Sequence, residues 1–154
     1  MRFLLAGGGT GGHVNPLLAL AELLRSEGHE VVALGTEEGL EKRLVPERGF
    51  DLVTIPRLPL PRRLSPKILS FPFRLLASSL TVRSLIRSRS IDAVVGFGGY
   101  ASAPAYVGAW FAKVPLVIHE ANAIAGFANR LGARFTKQRA IAFANSNLSG
   151  GTLT

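Results

Sequence analysis

The sequence predicts an α/β domain in which a parallel sheet carries helices on both faces, and three observations predict it. Short apolar runs alternate with segments of helical spacing along the 154 residues. Two of the runs end in glycine-rich turns set directly before a helical segment, at residues 7–13 (GGGTGGH) and 96–102 (GFGGYAS). The composition, 47% hydrophobic and 18% charged, lets a chain of this length bury one sizeable core and argues against intrinsic disorder. Strand then helix, repeated, is how parallel strands are joined, because parallel neighbours need a crossover.

Taken in order, residues 2–6 (RFLLA) read as the first strand. Asn15 can cap a helix with Pro16 at its first position; Leu17, Leu20 and Leu24 keep helical spacing, and Gly28 ends it. Residues 30–35, rich in Val and Leu, read as the second strand, about 38–48 as a short polar helix closed by Gly49, and 51–55 as the third strand. Residues 56–72 carry Pro56, Pro59, Pro61, Pro66 and Pro72 and read as one long loop, since proline has no N–H to give a helix or ladder. A long helix is expected over 68–88, a fourth strand over 92–97, a helix over 102–112 and a fifth strand over 114–118. Residues 126–135 look helical and 140–143 like a sixth strand; the Ser-, Gly- and Thr-rich residues 145–154 read as a linker or an interrupted tail. There is no internal repeat.

Composition narrows the chemistry. With no cysteine, disulfides, thiolate metal sites and a cysteine nucleophile are excluded. His13, His29 and His119 lie far apart without metal-ligand spacing, so no metal site is expected. The apolar stretch before the first glycines is too short for a secretory signal, and no run approaches the roughly 18 residues that cross a bilayer. The formal charge of +8 is concentrated: residues 52–91 hold eight basic side chains (Arg57, Arg62, Arg63, Lys67, Arg74, Arg83, Arg87, Arg89) and no acidic one. That surplus points to an anionic partner. Within residues 64–80, Leu69, Phe71, Phe73, Leu75 and Leu76 mix with Lys67 and Arg74, a pattern that suits either an anionic membrane surface or a core-facing helix with a solvated basic face. Nucleic acid fits less well, because the aromatics do not interleave with the cations as stacking platforms do.

Three loops carry candidate chemistry. In GGGTGGH, glycines permit close backbone approach, and the N–H groups at a helix start favour phosphate. Gly7, Gly9 and Gly12 satisfy the dinucleotide spacing, for which Glu37 is the candidate ribose-binding acid; a P-loop is excluded because no Lys-Ser/Thr follows. His13, where the helix begins, is placed either to take a proton from a hydroxyl nucleophile or to cap the helix. The second cluster, GFGGYAS, falls on the same sheet edge, so the pair suits two phosphates or one diphosphate. The third loop, His119-Glu120-Ala121-Asn122, brings polar groups that can orient a sugar or merely cap a turn.

GGGTGGH, LGT at residues 34–36, GFGGYAS and HEANAIAGFANR, in this order, resemble the amino-terminal half of the MurG family of bacterial glycosyltransferases. Its members are the UDP-N-acetylglucosamine:N-acetylmuramyl-(pentapeptide)-pyrophosphoryl-undecaprenol N-acetylglucosaminyltransferases of peptidoglycan synthesis. The likeness runs from Met1 to about Ala144 and implies the Rossmann-like first half of a two-domain GT-B enzyme. It also implies an acceptor-binding domain over 1–144, a tail over 145–154, and a donor-binding domain outside this sequence, in cis or in trans. By resemblance, Thr10, Gly11, Gly12 and Asn122 touch the donor UDP-N-acetylglucosamine, a substrate rather than a cofactor. Gly9, Gly98, Gly99, Tyr100 and Ser102 bind the diphosphate of the undecaprenyl-linked acceptor, His119 and Glu120 orient sugar, and His13 is the general base for an inverting, metal-independent transfer. Ala121 stands where the family usually has Gln, so a contact through that amide is lost. The implied location is peripheral, on the cytoplasmic face of the cell membrane. A dinucleotide-binding fragment and a membrane-surface module without transferase activity are the competing readings.

Overall fold

The computed structural model describes residues 1–59 and 66–154, with side chains of the second stretch from Ile68 onward. The elements are β1 (Arg2–Ala6), α1 (Gly11–Ser26), β2 (Glu30–Thr36), α2 (Glu41–Glu47), β3 (Asp51–Ile55), α3 (Pro66–Ser88), β4 (Ala93–Gly96), α4 (Ser102–Ala112), β5 (Leu116–Glu120), α5 (Phe127–Gly132), β6 (Arg139–Ile141) and β7 (Thr152–Leu153). All strand pairs are parallel, in the order β3-β2-β1-β4-β5-β6-β7. The chain winds outward from β1 to β3, crosses back through α3, and continues from β4 on the other side of β1. The winding direction therefore reverses between β1 and β4, where a crevice opens at the strands' carboxyl ends. Ala6 is level with Gly96 in the ladder, so the two glycine loops leave the sheet side by side.

Period-two alternation divides the core between the two faces. Leu4, Ala6, Val32, Leu34, Val94 and Ile118 pack with residues of α3, α4 and α5, whereas Leu5, Ala33 and Val95 pack with Val14, Leu17, Leu18 and Ala21 of α1 and Val45 of α2. Each fully buried leucine contributes about 1.5–3 kcal/mol relative to exposure. Small residues let α3 and α4 approach closely: a Cβ on Gly108 would lie 3.0 Å from the Ser79 carbonyl oxygen and from Val82.

Besides small shifts at the ends of α2 and β6, the structure departs from the sequence expectation in five places. Helix α1 begins at Gly11 with Thr10 as its cap residue, so Asn15 and Pro16 lie inside it rather than at its start. Pro16 withdraws only the bond to the carbonyl of Gly12, which is exposed to water. Helix α3 likewise runs through Pro72, in an exposed turn where water can satisfy the freed carbonyl, so the expected loop ends at or before Pro66. Strand β5 is two residues later than expected, which puts His119 and Glu120 in the strand itself. Its pairing starts after Pro115, which has no N–H to donate. Helix α5 is shorter than the expected 126–135. Finally, Thr152 and Leu153 pair with Ala140 and Ile141, adding a seventh strand where no element was expected. Among the described residues, no helix is long and apolar enough to cross a membrane.

Candidate functional site

The two glycine loops touch through their backbones. A Cβ on Gly99 would sit 2.4 Å from the Gly8 carbonyl oxygen, and Gly99 itself has φ +86°, so only glycine fits there without moving a loop. Ser102 lies beneath the contact, fully buried: its Oγ accepts from the Gly98 N–H at 3.0 Å and turns its proton toward the carbonyls of Ala6 at 2.9 Å and Gly98 at 2.8 Å. The Ser102 hydroxyl thus ties the end of β1 to the second loop from below and is not presented to the crevice. Above, the amides of Thr10, Gly11 and Gly12 and those of Gly99 and Tyr100 donate to no described residue. Together with the partial positive charge at the start of α1, they make a cluster of free main-chain donors of the kind that suits an anion.

His13 stands between the loops. Its Nδ1 lies 3.1 Å from the Gly8 carbonyl oxygen, with Thr10 Oγ1 at 3.3 Å. A carbonyl can only accept, so Nδ1 carries the proton, and Nε2 keeps a lone pair facing Gly98, where a Cβ would come within 2.9 Å of it. The backbone thereby fixes which ring nitrogen of the neutral imidazole is left free. Tyr100 is held from its other side by Arg57, whose guanidinium stacks 4.5 Å from the ring centroid and donates to the phenol at 3.3 Å and to Glu38 at 3.1 Å.

Gly9 is arranged differently from its expected role. Its N–H points down to the carboxylate of Glu41 at 2.8 Å, leaving it no amide proton for a ligand. Glu41, at the start of α2, is fully buried and also accepts from the N–H and hydroxyl of Thr36 at 2.8 and 2.9 Å. Gly8, Gly35 and Gly39 make its cradle: a Cβ on any of them would fall within 2.4 Å of the Glu41 side chain. Sequence reasoning passed over Glu41, although its position four residues before buried Val45 on the inward face of a short polar helix was a legible signal.

The third loop is organised by a second buried carboxylate. Glu120, 1% exposed, accepts from the backbone N–H and side-chain amide of Asn122, both at 2.9 Å, from Asn129 at 2.8 Å and from the Gly126 N–H at 3.2 Å. Asn129 in turn accepts the Tyr106 hydroxyl, and burial pushes the Tyr106 phenol well above its ordinary range. Glu120 is therefore spent on shaping the loop, while Asn122 is exposed at its rim. His119, half-buried and 5.5 Å from the Phe97 ring, has a buried Nδ1 with no partner among the described residues. Burial lowers its pKa and favours the neutral ring, offset in part by the Glu120 charge. No metal-holding cluster of acidic and histidine side chains occurs among the described residues.

The basic-apolar segment splits between two faces of α3. Leu69, Phe73, Leu76 and Leu80 form an outward stripe, with Leu69 and Phe73 about three-quarters exposed. Phe71 and Leu75 turn inward instead and line an apolar slot beside the glycine loops, which corrects their expected place at the surface. Arg74 is exposed, its guanidinium 3.4 Å from the Arg57 carbonyl. Arg57 and Arg89 are ion-paired with Glu38 and Asp51, while the side chains of Arg62, Arg63 and Lys67 lie outside the described residues.

Comparison with known proteins agrees with this architecture. The chain matches the glycosyltransferase family 28 N-terminal domain over residues 3–141. It is 58% identical over 148 residues to the UDP-N-acetylglucosamine--N-acetylmuramyl-(pentapeptide) pyrophosphoryl-undecaprenol N-acetylglucosamine transferase of Leifsonia xyli, covering 95% of this chain and 41% of that protein. The transferase of the same name from Tropheryma whipplei is 57% identical, with 88% of this chain and 38% of that protein covered. The crystal structure of Acinetobacter baumannii MurG superposes with a TM-score of 0.85 at 31% identity, over 99% of this chain and 44% of that one. The chain spans about two fifths of the length of the curated relatives it matches. The fold is that of the amino-terminal half of a GT-B glycosyltransferase. With its family match running from the first strand through the sixth, the chain belongs to glycosyltransferase family 28, as an N-terminal domain of that family.

Proposed function

We propose that this chain is the acceptor-binding domain of an enzyme that moves N-acetylglucosamine from UDP-N-acetylglucosamine to the 4-hydroxyl of undecaprenyl-diphosphate-linked N-acetylmuramyl-pentapeptide. The observation that carries the reading is the meeting of two glycine loops at the switch point, with unpaired amides and a pre-oriented His13. In this reading Gly98, Gly99 and Tyr100 hold the acceptor's diphosphate, and Thr10, Gly11, Gly12 and Asn122 face the donor. The acceptor oxygen attacks the anomeric carbon as its proton passes to His13 Nε2, and the bond to UDP breaks with inversion. Main-chain dipoles aimed at the departing diphosphate lower the barrier without reorganisation. The uracil and ribose are gripped by a donor-binding domain, in cis or in trans.

Gly99→Val tests the placement. A β-branched residue at φ +86° is strained by about 1–2 kcal/mol, and its Cβ overlaps the Gly8 carbonyl, which parts the loops. The fold should survive, while calorimetry with a short-chain lipid-linked acceptor should show a roughly tenfold or greater loss of affinity. Unchanged affinity in a folded variant would move the diphosphate elsewhere.

The same reading places the domain on the cytoplasmic face of the membrane, held through the outward stripe of α3 and its neighbouring cations. Each of its large apolar side chains contributes about 1.5–3 kcal/mol when fully removed from water. Flotation with phosphatidylglycerol vesicles should show binding that weakens with salt, since charges are screened over about 10 Å at 0.1 M. Replacing Leu69, Phe73 and Leu76 together by serine should abolish it. Equal binding to neutral vesicles, or no effect of the triple change, would refute this attachment.

A further inference from the structure

Between α3 and α5 lies a slot of about 220 Å³ whose two ends differ in chemistry. Its walls are apolar: Leu58, Phe71, Leu75, Ala103, Phe127 and Ala128. Its inner end is formed by the Gly98-Gly99-Tyr100 backbone and His13. The polar atoms on its floor are already engaged, Glu120 by four N–H donors and Asn129 by Tyr106 and Glu120, so the floor offers little to a sugar hydroxyl. Phe71 and Phe127 meet edge-to-face with centroids 6.4 Å apart, one contributed by each helix. Beyond Phe71, the opposite side of the same helix carries the exposed Leu69-Phe73-Leu76 stripe.

We propose that this slot is a prenyl subsite, which takes the first one or two isoprene units of a polyprenyl diphosphate while the diphosphate rests on the glycine loops. The inference deepens the acceptor reading and rests on it. Size supports it: an apolar cavity of about 150 Å³ holds a benzene ring, so 220 Å³ accommodates one to two branched five-carbon units and not a long chain. Polarity supports it as well, because an allylic diphosphate changes from dianion to hydrocarbon within a few bonds, as the slot changes from unpaired amides to phenylalanine and leucine. The remaining chain then leaves at the start of α3, on the side of the outward stripe. Recognition of the lipid thus begins inside the protein, and the acceptor's reactive end is fixed at both its diphosphate and its first isoprenes.

The test is a chain-length series measured by calorimetry on the 154-residue protein: inorganic pyrophosphate, then dimethylallyl, geranyl and farnesyl diphosphates below their micelle-forming concentrations. Affinity should rise about tenfold or more with the first unit and again with the second, and level off at the third, when the slot is full. Gly126→Leu supplies the control, because Gly126 lines the slot, has φ −67°, and a Cβ there meets nothing within 4 Å. It should leave pyrophosphate affinity unchanged and flatten the chain-length gain; Ala128→Leu, also in the slot's lining, should do the same. Pyrophosphate binding with no gain from isoprenes would overturn the slot and leave the acceptor reading standing. So would a gain that continues through the third unit and survives Gly126→Leu, which would put the chain on the outer stripe. Affinity for N-acetylglucosamine 1-phosphate that Gly126→Leu removes, with no isoprene gain, would make this a sugar site. No binding anywhere in the series would overturn the acceptor reading and the slot together.

Discussion

Replacing Glu41 by alanine is expected to cost about 3–5 kcal/mol of folding stability. The carboxylate satisfies three donors, the N–H and hydroxyl of Thr36 and the N–H of Gly9. Its loss leaves the buried Thr36 donors without an acceptor, at about 1–3 kcal/mol for each unsatisfied group. The cradle made by Gly8, Gly35 and Gly39 cannot close over the gap, since none of the three has a side chain to fill it. Glu41→Gln should be milder, at about 1–3 kcal/mol: its amide nitrogen must face either Thr36 or Gly9, where a donor meets a donor. Urea unfolding would measure both. Hydrogen exchange should further show the Gly9 amide losing protection in the alanine variant. An alanine variant within about 1 kcal/mol of the parent would mean that water replaces the carboxylate, and that the loop does not depend on it.

Activity is expected to depend most on His13. The 154-residue chain assayed alone should transfer no sugar at an appreciable rate, because displacement at an anomeric carbon depends on holding donor and acceptor in near-attack geometry. It spans about two fifths of the length of the curated relatives it matches, and in the proposed reading its crevice is one wall of a cleft. Mixed with the carboxy-terminal half of a close relative, it should regain measurable transfer to a lipid-linked acceptor. His13→Ala in that pair should then lose about 10²–10⁴-fold, the usual contribution of a general base. His13→Gln, which can keep a donor toward Gly8 but cannot accept a proton, should be equally slow. Robust turnover by the chain alone would refute the half-enzyme reading; full activity of the reconstituted alanine variant would remove His13 from the chemistry.

How much of this was legible in the sequence differs from element to element, for physical reasons. Strands β1 and β3 and helix α4 fall at the expected residues, because each is an apolar run bounded by glycine, proline or charge. The start of α1 was hidden because Gly11 and Gly12 are poor helix formers on any propensity scale; they are helical because the switch-point loop, stitched by Ser102 and Glu41, delivers the chain at that angle. His119 and Glu120 read as loop because charged and polar residues rarely sit at the end of a central strand. Here Glu120 is tolerated because four N–H groups surround it. The two glycine loops, His13 beside them and the polar third loop that carries Asn122 stand out from local pattern alone. The reach of Glu41 to the Gly9 amide, the inward turn of Phe71 toward Phe127, and the tie from Ser102 to the Ala6 carbonyl depend on residues distant in sequence, which no local window contains.

Two groups of glycines around the crevice have opposite tolerance to added mass. At Gly8, Gly35, Gly39 and Gly96, a methyl group would come within 2.4 Å of Glu41 or Tyr106, so the space is already occupied by the protein. At Gly9, Gly11, Gly12 and Gly126, nothing lies within 3.5 Å of where a methyl would be. Mutation of the first kind is read out as a folding defect whatever the substrate. Mutation of the second kind is silent in the empty protein and is felt only when something arrives, except that Gly9 also carries a backbone φ of +88°. The surface that meets a ligand is thus written in atoms the sequence leaves out, and diversity there can accumulate unseen by stability until specificity is tested.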